Sequence, residues 1–399
     1  MTYSEIDVPS LRAREFPWAG HDGDTIYLNN ASTGPLPSRT VTLGEDWVRR
    51  RARPWTITDH DAVFPALRDA RQRCAALVGA TESEIALTPN TSYGLSLAAQ
   101  ALPLADGDVV VTPDGEFPTV IACWRTARPA RELRVHVVRT ANGLPDESAL
   151  IAGLDETGAK ALAVSWVSFA HGTRLDLQRL GDACRSRGVL FIVDAMQGLG
   201  ALTCDVIASH VDLLACGGFK WLLAPWGAGF TYVRRELIGA MNPPALGWLF
   251  SPRQEDYTRG LDAEAPLYDD ARRFEVMTLP SQDMAGLGCS IGLLQELGAT
   301  PVAAQVERLA TRLVERFLQM PGLELVTPAD PSRRAGIVSV RPADAERVSR
   351  DLRAAGVFHS LRRGMLRFSP HCYNTLGEVD EALDRLRHVM QTRQRVMTS

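Results

Sequence analysis

Between about Asp106 and Val233 the chain alternates short apolar runs with amphipathic stretches. The runs 108–112, 135–138, 161–166, 189–194, 212–216 and 229–233 predict strands, and Leu180, Ala183 and Cys184 share one helical face between two of them. The runs are nearly continuous in Val, Leu and Ile rather than alternating. That pattern predicts strands covered on both faces, as in a largely parallel sheet with crossover helices. After Pro301 the period changes. Val306, Leu309, Leu313 and Phe317 form one amphipathic helix, and Leu376, Val379, Leu383, Leu386 and Met390 form a C-terminal one. Strands are expected between them at 337–340 and 366–369. The reading is an α/β chain with a smaller α+β domain at its C-terminal end: residues 1–45 a segment packing on both domains, 46–285 the large domain, 286–399 the small one. The stretch 241–268, rich in Pro, Trp and charge, reads as a long functional loop.

Composition narrows the class of function. A chain of 399 residues, 45% hydrophobic and 23% charged, suits two packed domains of a soluble enzyme. Its net charge of −4 removes the electrostatic case for nucleic acid or an acidic membrane surface. No apolar run approaches the ~18 residues of a spanning helix. Residues 1–14 are acidic and basic without the apolar core of a secretory signal. The seven cysteines are scattered with no CxxC pair, and the histidines form no HExxH helix. Reduced thiols, no metal and a cytoplasmic location are therefore expected.

Lysine usage changes the picture more. Of the 43 basic residues only Lys160 and Lys220 are lysine. Arginine replaces lysine on a solvated face but cannot form a Schiff base or give up its proton. Lys220 follows a predicted strand, where ligands of open α/β sheets gather, and Phe219 and Trp221 would strip it of water and lower its pKa. Asp194 closes the apolar run before it, and a carboxylate there requires a cationic or donating partner. Thr88-Pro-Asn-Thr-Ser-Tyr-Gly94 opens an apolar helix, as an ordinary N-cap or as an anion site. Taken together, these elements ask for a ligand with an anion, a ring cation and an aldehyde. Pyridoxal 5'-phosphate has all three.

The order of the elements resembles the fold-type I pyridoxal-phosphate enzymes of aminotransferase class V. The likeness is strongest to the isopenicillin N epimerase, selenocysteine lyase and cysteine desulfurase branch, with kynureninase-like features. It runs from Tyr27-Leu-Asn-Asn-Ala-Ser to Arg367-Phe-Ser-Pro-His-Cys-Tyr-Asn-Thr375, and its most specific strings are Val193-Asp-Ala-Met-Gln-Gly198 and Gly218-Phe-Lys-Trp221. The resemblance implies a large domain with a mostly parallel, seven-stranded type of sheet. It makes Lys220 the Schiff-base lysine and Asp194 the partner of the pyridine nitrogen. Gln197 would bond the phenolic oxygen, Thr91 and Ser92 the phosphate, and Phe117 would stack on the ring. Arg367 would hold the substrate carboxylate, with Asn29 or Asn30 adding a contact. Trp248 and Thr278 would reach the phosphate of a neighbouring subunit, which makes a homodimer the expected assembly. Trp248 reads equally as a hydrophobic loop anchor.

The chain also departs from desulfurases. Phe219 and Gly217 stand where many of them carry histidine and a hydroxyl residue. Ser168, Phe169 and His171 occupy the region of an asparagine, with His171 either an acid–base group or a neutral neighbour. The stretch 356–366 holds no cysteine, and Cys372 follows Arg367 rather than preceding it. Among reactions that pass through an external aldimine and a quinonoid, the preferred one is therefore β-elimination at C–S in a cysteine-derived substrate, without an enzyme thiol. Epimerisation, transamination and an oxidative or decarboxylating variant are the alternatives. A cofactor-binding regulator would not require both Lys220 and Asp194. A nicotinamide site at Gly198-Leu-Gly-Ala-Leu-Thr203 lacks the third glycine. Neither the 241–268 loop nor the Arg50–Arg53 run identifies the substrate; the run reads as a solvated face or as a border of the entrance.

Overall fold

The apolar runs assemble into one seven-stranded sheet in the order Ile85–Thr88, Gly229–Val233, Leu213–Gly217, Leu190–Asp194, Ala161–Ser165, Val109–Pro113, Arg134–Val138. The computed structural model describes residues 5–20, 25–126, 132–140, 143–256, 262–276 and 278–396. Positions 257–261 of the expected long loop and Met277 lie outside the described residues. Strands Val109–Pro113, Ala161–Ser165 and Leu213–Gly217 are buried along their whole length, which explains why their sequences show no alternation. All neighbours run parallel except Gly229–Val233, which is antiparallel to both strands beside it. A parallel return needs a crossover of a dozen or more residues, usually helical; the short connection 218–228 permits only an antiparallel one. That connection carries Lys220.

Six of the seven strands match the sequence expectation within one or two residues. The missing one, Ile85–Thr88, is four residues long and fully buried, too short to show a period. The helix that follows it, Thr91–Ala101, starts at Asn90, whose Oδ1 accepts from the Tyr93 N–H at 2.9 Å. Gly94 lets this helix lie directly on the sheet. A Cβ there would stand 2.4 Å from Thr231 Oγ1 and 2.7 Å from Ala215 Cβ.

A second, four-stranded antiparallel sheet has the order Ser360–Arg362, Met365–Phe368, Val338–Pro342, Leu323–Leu325. Leu309, Leu313 and Phe317 of helix Ala299–Leu318 and Leu383 and Leu386 of helix Leu376–Val396 form its core with Leu366 and Phe368. Ile26–Tyr27 pairs in parallel with Val357–Phe358, while Ala31 packs with Trp221 and Ile337. Residues 26–31 thus touch both sheets' surroundings. In helix Ser281–Leu297, Met284, Leu287, Ile291 and Leu294 join the core under the large sheet, so the division expected at 285/286 falls inside a helix of the large unit. No described helix is long and apolar enough to cross a membrane.

The close approach at Gly94 yields a prediction. Gly94→Ala forces the helix off the strands and costs about 1–3 kcal/mol, read as a lower urea midpoint. An unchanged midpoint contradicts the packing described.

Candidate active site

Lys220 lies just beyond the carboxyl end of Leu213–Gly217, and its peptide is clamped by the N-terminal segment. Asn30 Nδ2 donates to the Lys220 carbonyl at 3.2 Å, and the Tyr373 hydroxyl donates to Asn30 Oδ1 at 3.2 Å. Gly34 fits over the same carbonyl, since a Cβ there would lie 2.2 Å from it. The amine sits 5.6 Å from the Phe219 ring centroid, and no hydrogen bond to Nζ occurs among the described residues. Burial lowers its pKa to about 8; Arg367 and Arg362 push the same way, while Asp194 and Cys216 oppose. Lys160 is exposed and precedes the amino end of Ala161–Ser165, away from this edge. One lysine of the two is therefore placed for amine chemistry.

Asp194 is the last residue of its strand, buried, with Oδ1 accepting from the Met196 N–H at 2.9 Å. Its Oδ2 accepts from no group among the described residues. Burial raises this carboxyl to about 6, against the Met196 hydrogen bond and the Lys220 charge. Both side chains line a cavity of about 230 Å³ walled by Phe117, Phe169, Phe219 and Met196. At one end stands the N-terminus of helix Thr91–Ala101. Its Thr91 and Ser92 N–H groups have no acceptor among the described residues, as the first turn of a helix leaves them. A carboxylate oxygen with no partner among the described residues, a desolvated amine and open helix donors thus converge on one space. That donor set fits a protonated ring nitrogen, an aldehyde and a phosphate.

Several expected residues stand in other roles. The Thr91 hydroxyl donates to Met196 Sδ at 3.3 Å and accepts from the Gly217 N–H at 2.9 Å, so it holds the cavity floor. Ser92 Oγ pairs with Thr119 Oγ1 at 3.2 Å. Gln197 lines the cavity, but Nε2 donates to the Ala31 carbonyl at 3.1 Å and Oε1 accepts from Trp221 Nε1 at 2.9 Å. Asn30, expected at the substrate, is fully buried and committed to the Lys220 backbone. His171 is outside the cavity lining. Its ring nitrogens meet Ser168 Oγ at 3.1 Å and Thr173 Oγ1 at 2.7 Å, and burial lowers its pKa to about 4, leaving a neutral ring that braces a turn. Trp248 and Thr278 are exposed and do not line this cavity.

Arg367 is buried beside the cavity. Nη1 donates to the Phe169 carbonyl at 2.6 Å and Nη2 to Ser32 Oγ at 2.8 Å, while Nε has no partner among the described residues. Burial, reinforced by Arg362, pulls its pKa down to about 9, which still leaves the guanidinium charged at neutral pH and gives a buried cation without a carboxylate among the described residues. Asn29 accepts from Ser360 Oγ at 2.6 Å in the same network. Glu116 is a participant that sequence reasoning passed over. Its carboxylate accepts from the Ser165 N–H and hydroxyl and from the Phe117 N–H, fixing the turn that presents Phe117. Burial raises it to about 7. The signal was present in the string Gly115-Glu-Phe-Pro, an acid just past an apolar strand.

The sequence pattern of the family "Aminotransferase class-V" matches residues 26–382. The chain belongs to the class-V aminotransferases. These are pyridoxal-phosphate enzymes, in agreement with the donor set above. A probable cysteine desulfurase of Methanothermobacter thermautotrophicus is 29% identical over 84% of this chain and 79% of that protein. An isopenicillin N epimerase of Amycolatopsis lactamdurans is 29% identical over 92% and 96%. The solved complex of the cystine C–S lyase C-DES with its product cysteine persulfide superposes with a TM-score of 0.83 at 22% identity, over 92% of this chain and 98% of that one. The fold is that of the class-V enzymes.

With two lysines in the chain, trapping is decisive. Pyridoxal phosphate followed by borohydride attaches to the Lys220 peptide and not to Lys160. The trapped yield rises with pH through about 8, because only the neutral amine attacks and burial sets its pKa there. Label on Lys160 alone, or a yield rising only above pH 10, contradicts this placement.

Proposed function

We propose that the protein cleaves C–S bonds of a cysteine-derived amino acid by β-elimination, without an enzyme thiol. The observation that carries this reading is that none of the seven cysteines lines the cavity of Lys220 and Asp194. Cys372, next to the Arg367 string, is fully buried with its thiol pushed up to about 12. Within residues 356–366, Val357–Phe358 pairs with Ile26–Tyr27 and Ser360–Arg362 turns back on Met365–Phe368, with no cysteine to present. A sulfur atom leaving Cβ therefore departs with its own substituent rather than as a persulfide on the enzyme. The cystine lyase of the same fold and the desulfurase relatives support sulfur-bearing substrates.

Pyridoxal phosphate, when bound, supplies an aldehyde for the substrate amine and a protonated pyridine that takes up the charge left at Cα. Lys220 Nζ would hold the aldehyde and is the group that would take the Cα proton of a bound amino acid. Its lowered pKa keeps a usable fraction neutral near pH 7. Asp194 Oδ2, which has no partner among the described residues, would keep the proton on the pyridine nitrogen. The N–H groups of Thr91 and Ser92 would take the phosphate, with Ser92 Oγ beside them. Phe117 would wall one face of the ring, Phe169 and Phe219 would exclude water, and Gln197 would use its remaining N–H on the phenolic oxygen. Arg367 holds the α-carboxylate through Nε and its nearer Nη. A second copy of the chain would bring the exposed Trp248 and Thr278 to the phosphate, making the enzyme a homodimer with shared sites.

Titration of the purified enzyme with an S-alkyl-cysteine, with pyruvate assayed in parallel, tests the reaction. The visible band shifts and pyruvate appears. Lys220→Ala abolishes pyruvate formation, Arg367→Gln lowers kcat/KM by about 10–100-fold, and Cys372→Ala keeps turnover within a few-fold. A band shift without pyruvate moves the reaction to epimerisation or transamination, and loss of turnover in Cys372→Ala at unchanged fold overturns the thiol-free route.

A further inference from the structure

The hairpin that joins Ser360–Arg362 to Met365–Phe368 turns through two consecutive arginines, Arg362 and Arg363. Both are exposed, and among the described residues neither reaches a carboxylate. Arg362 donates to the Leu361 carbonyl at 3.0 Å. Arg363 has its guanidinium carbon 5.5 Å from the Phe169 ring centroid. Many surface arginines find acids, as Arg187 does with Asp155 and Arg312 with Asp380, though others, such as Arg51 and Arg53, meet none among the described residues. Here the chain sets two cations side by side and gives them none. Arg363 also occupies the left-handed region, at φ +49°, where a non-glycine side chain is uncommon, so the turn and not the side chain's preference sets its place.

These cations border the cavity. Phe169 is one of its walls and meets Phe117, another wall, edge to face at 5.4 Å. Arg363 reaches across to the turn before Phe117, since a Cβ on Gly115 would stand 3.5 Å from its Nη1. Arg362 is near enough to Lys220 and to Arg367 to disfavour the protonated form of each. An uncompensated field of this sign repels the substrate's ammonium group and sets Arg362 against the buried Arg367 cation. A second negative charge on the substrate offsets both effects, and the N–H edges of a guanidinium laid near an aromatic ring stay open to a carboxylate.

We propose that the substrate is an amino acid with a second, distal anionic group. Arg367 takes the α-carboxylate, the apolar stem of the side chain runs between Phe117 and Phe169, and the Arg362–Arg363 turn takes the terminal carboxylate. This rests on the cavity being an amino-acid site. With elimination it names S-carboxyalkyl-cysteines as the substrate class: the Cβ–S bond breaks, Cα loses its proton to Lys220, and the mercapto acid leaves with the bonding pair and is protonated. The remaining aminoacrylate takes up water to give pyruvate and ammonia, so no oxidant or reductant enters.

Binding and turnover separate the two layers of the proposal. The holoenzyme is titrated by calorimetry with 2-aminopimelate and 2-aminoheptanoate, matched in length and lacking a leaving group. Pyruvate is followed from S-(2-carboxyethyl)-cysteine and S-propyl-cysteine. The diacid binds about tenfold tighter at low salt, and added salt narrows the gap because the pair is exposed. In Arg362→Gln/Arg363→Gln the ratio of the two Kd values collapses toward one, while Arg363→Lys keeps part of it. Equal Kd values in the wild type, or a ratio untouched by the double substitution, overturn the assignment. Pyruvate from both sulfur substrates with equal Kd values for the matched pair refutes the distal site alone. A tenfold ratio with no pyruvate from either substrate refutes elimination and keeps the distal site.

Discussion

Two opposite charges held out of water stand at the carboxyl end of the large sheet, and the rest of the molecule is arranged around them. Asp194 ends a strand that is apolar up to that residue, and Lys220 lies on a connection too short to carry the chain back in parallel. Removing such ions from water costs several kcal/mol each, which their mutual attraction only partly offsets. The strain is visible in the directions of their pKa values: the acid is raised and the amine lowered, each toward its neutral form. A ligand that adds a positive ring nitrogen beside the acid and consumes the amine relieves both at once. The site is stabilised by its cofactor, and the fold has to hold it open.

Much of the remaining sequence serves that placement. Asn30 and Gly34 fix the peptide of Lys220 from the N-terminal segment, so the amine cannot drift from the acid. Gly94 lets a helix lie against two strands and bring its open N–H groups to the same edge. Glu116 holds the turn of Phe117 by binding Ser165, the strand neighbour of Asp194. Each is a contact between segments far apart in the chain. The frame is common to class-V enzymes with different reactions, so the outcome depends on what borders the cavity: no thiol, an aromatic slot and a pair of arginines that meet no carboxylate among the described residues.

Residues whose chemistry is written in their immediate surroundings were legible in the sequence. Lys220 and Asp194 were, because a lone lysine between aromatics and an acid closing an apolar run are local anomalies. The buried strands were too, except Ile85–Thr88, where four residues carry no period. Polar side chains whose partners lie elsewhere were not. Asn30 binds a carbonyl 190 positions away, Gln197 spans Ala31 and Trp221, and the neutrality of His171 comes from burial in a turn closed by the small sheet. An asparagine in a motif string and an asparagine at a substrate look alike until the chain is folded. Arg367 lay between these cases, legible only through the string around it among 41 arginines.

The central claim is that Lys220 and Asp194 act on one ligand as a pair. A double-mutant cycle tests it most directly: pyridoxal-phosphate affinity in the wild type, Asp194→Asn, Lys220→Ala and the double variant. The account predicts that the two losses fail to add, with a coupling of about 1 kcal/mol or more. Losses that add to within about 0.5 kcal/mol would place the two residues on independent sites and contradict it.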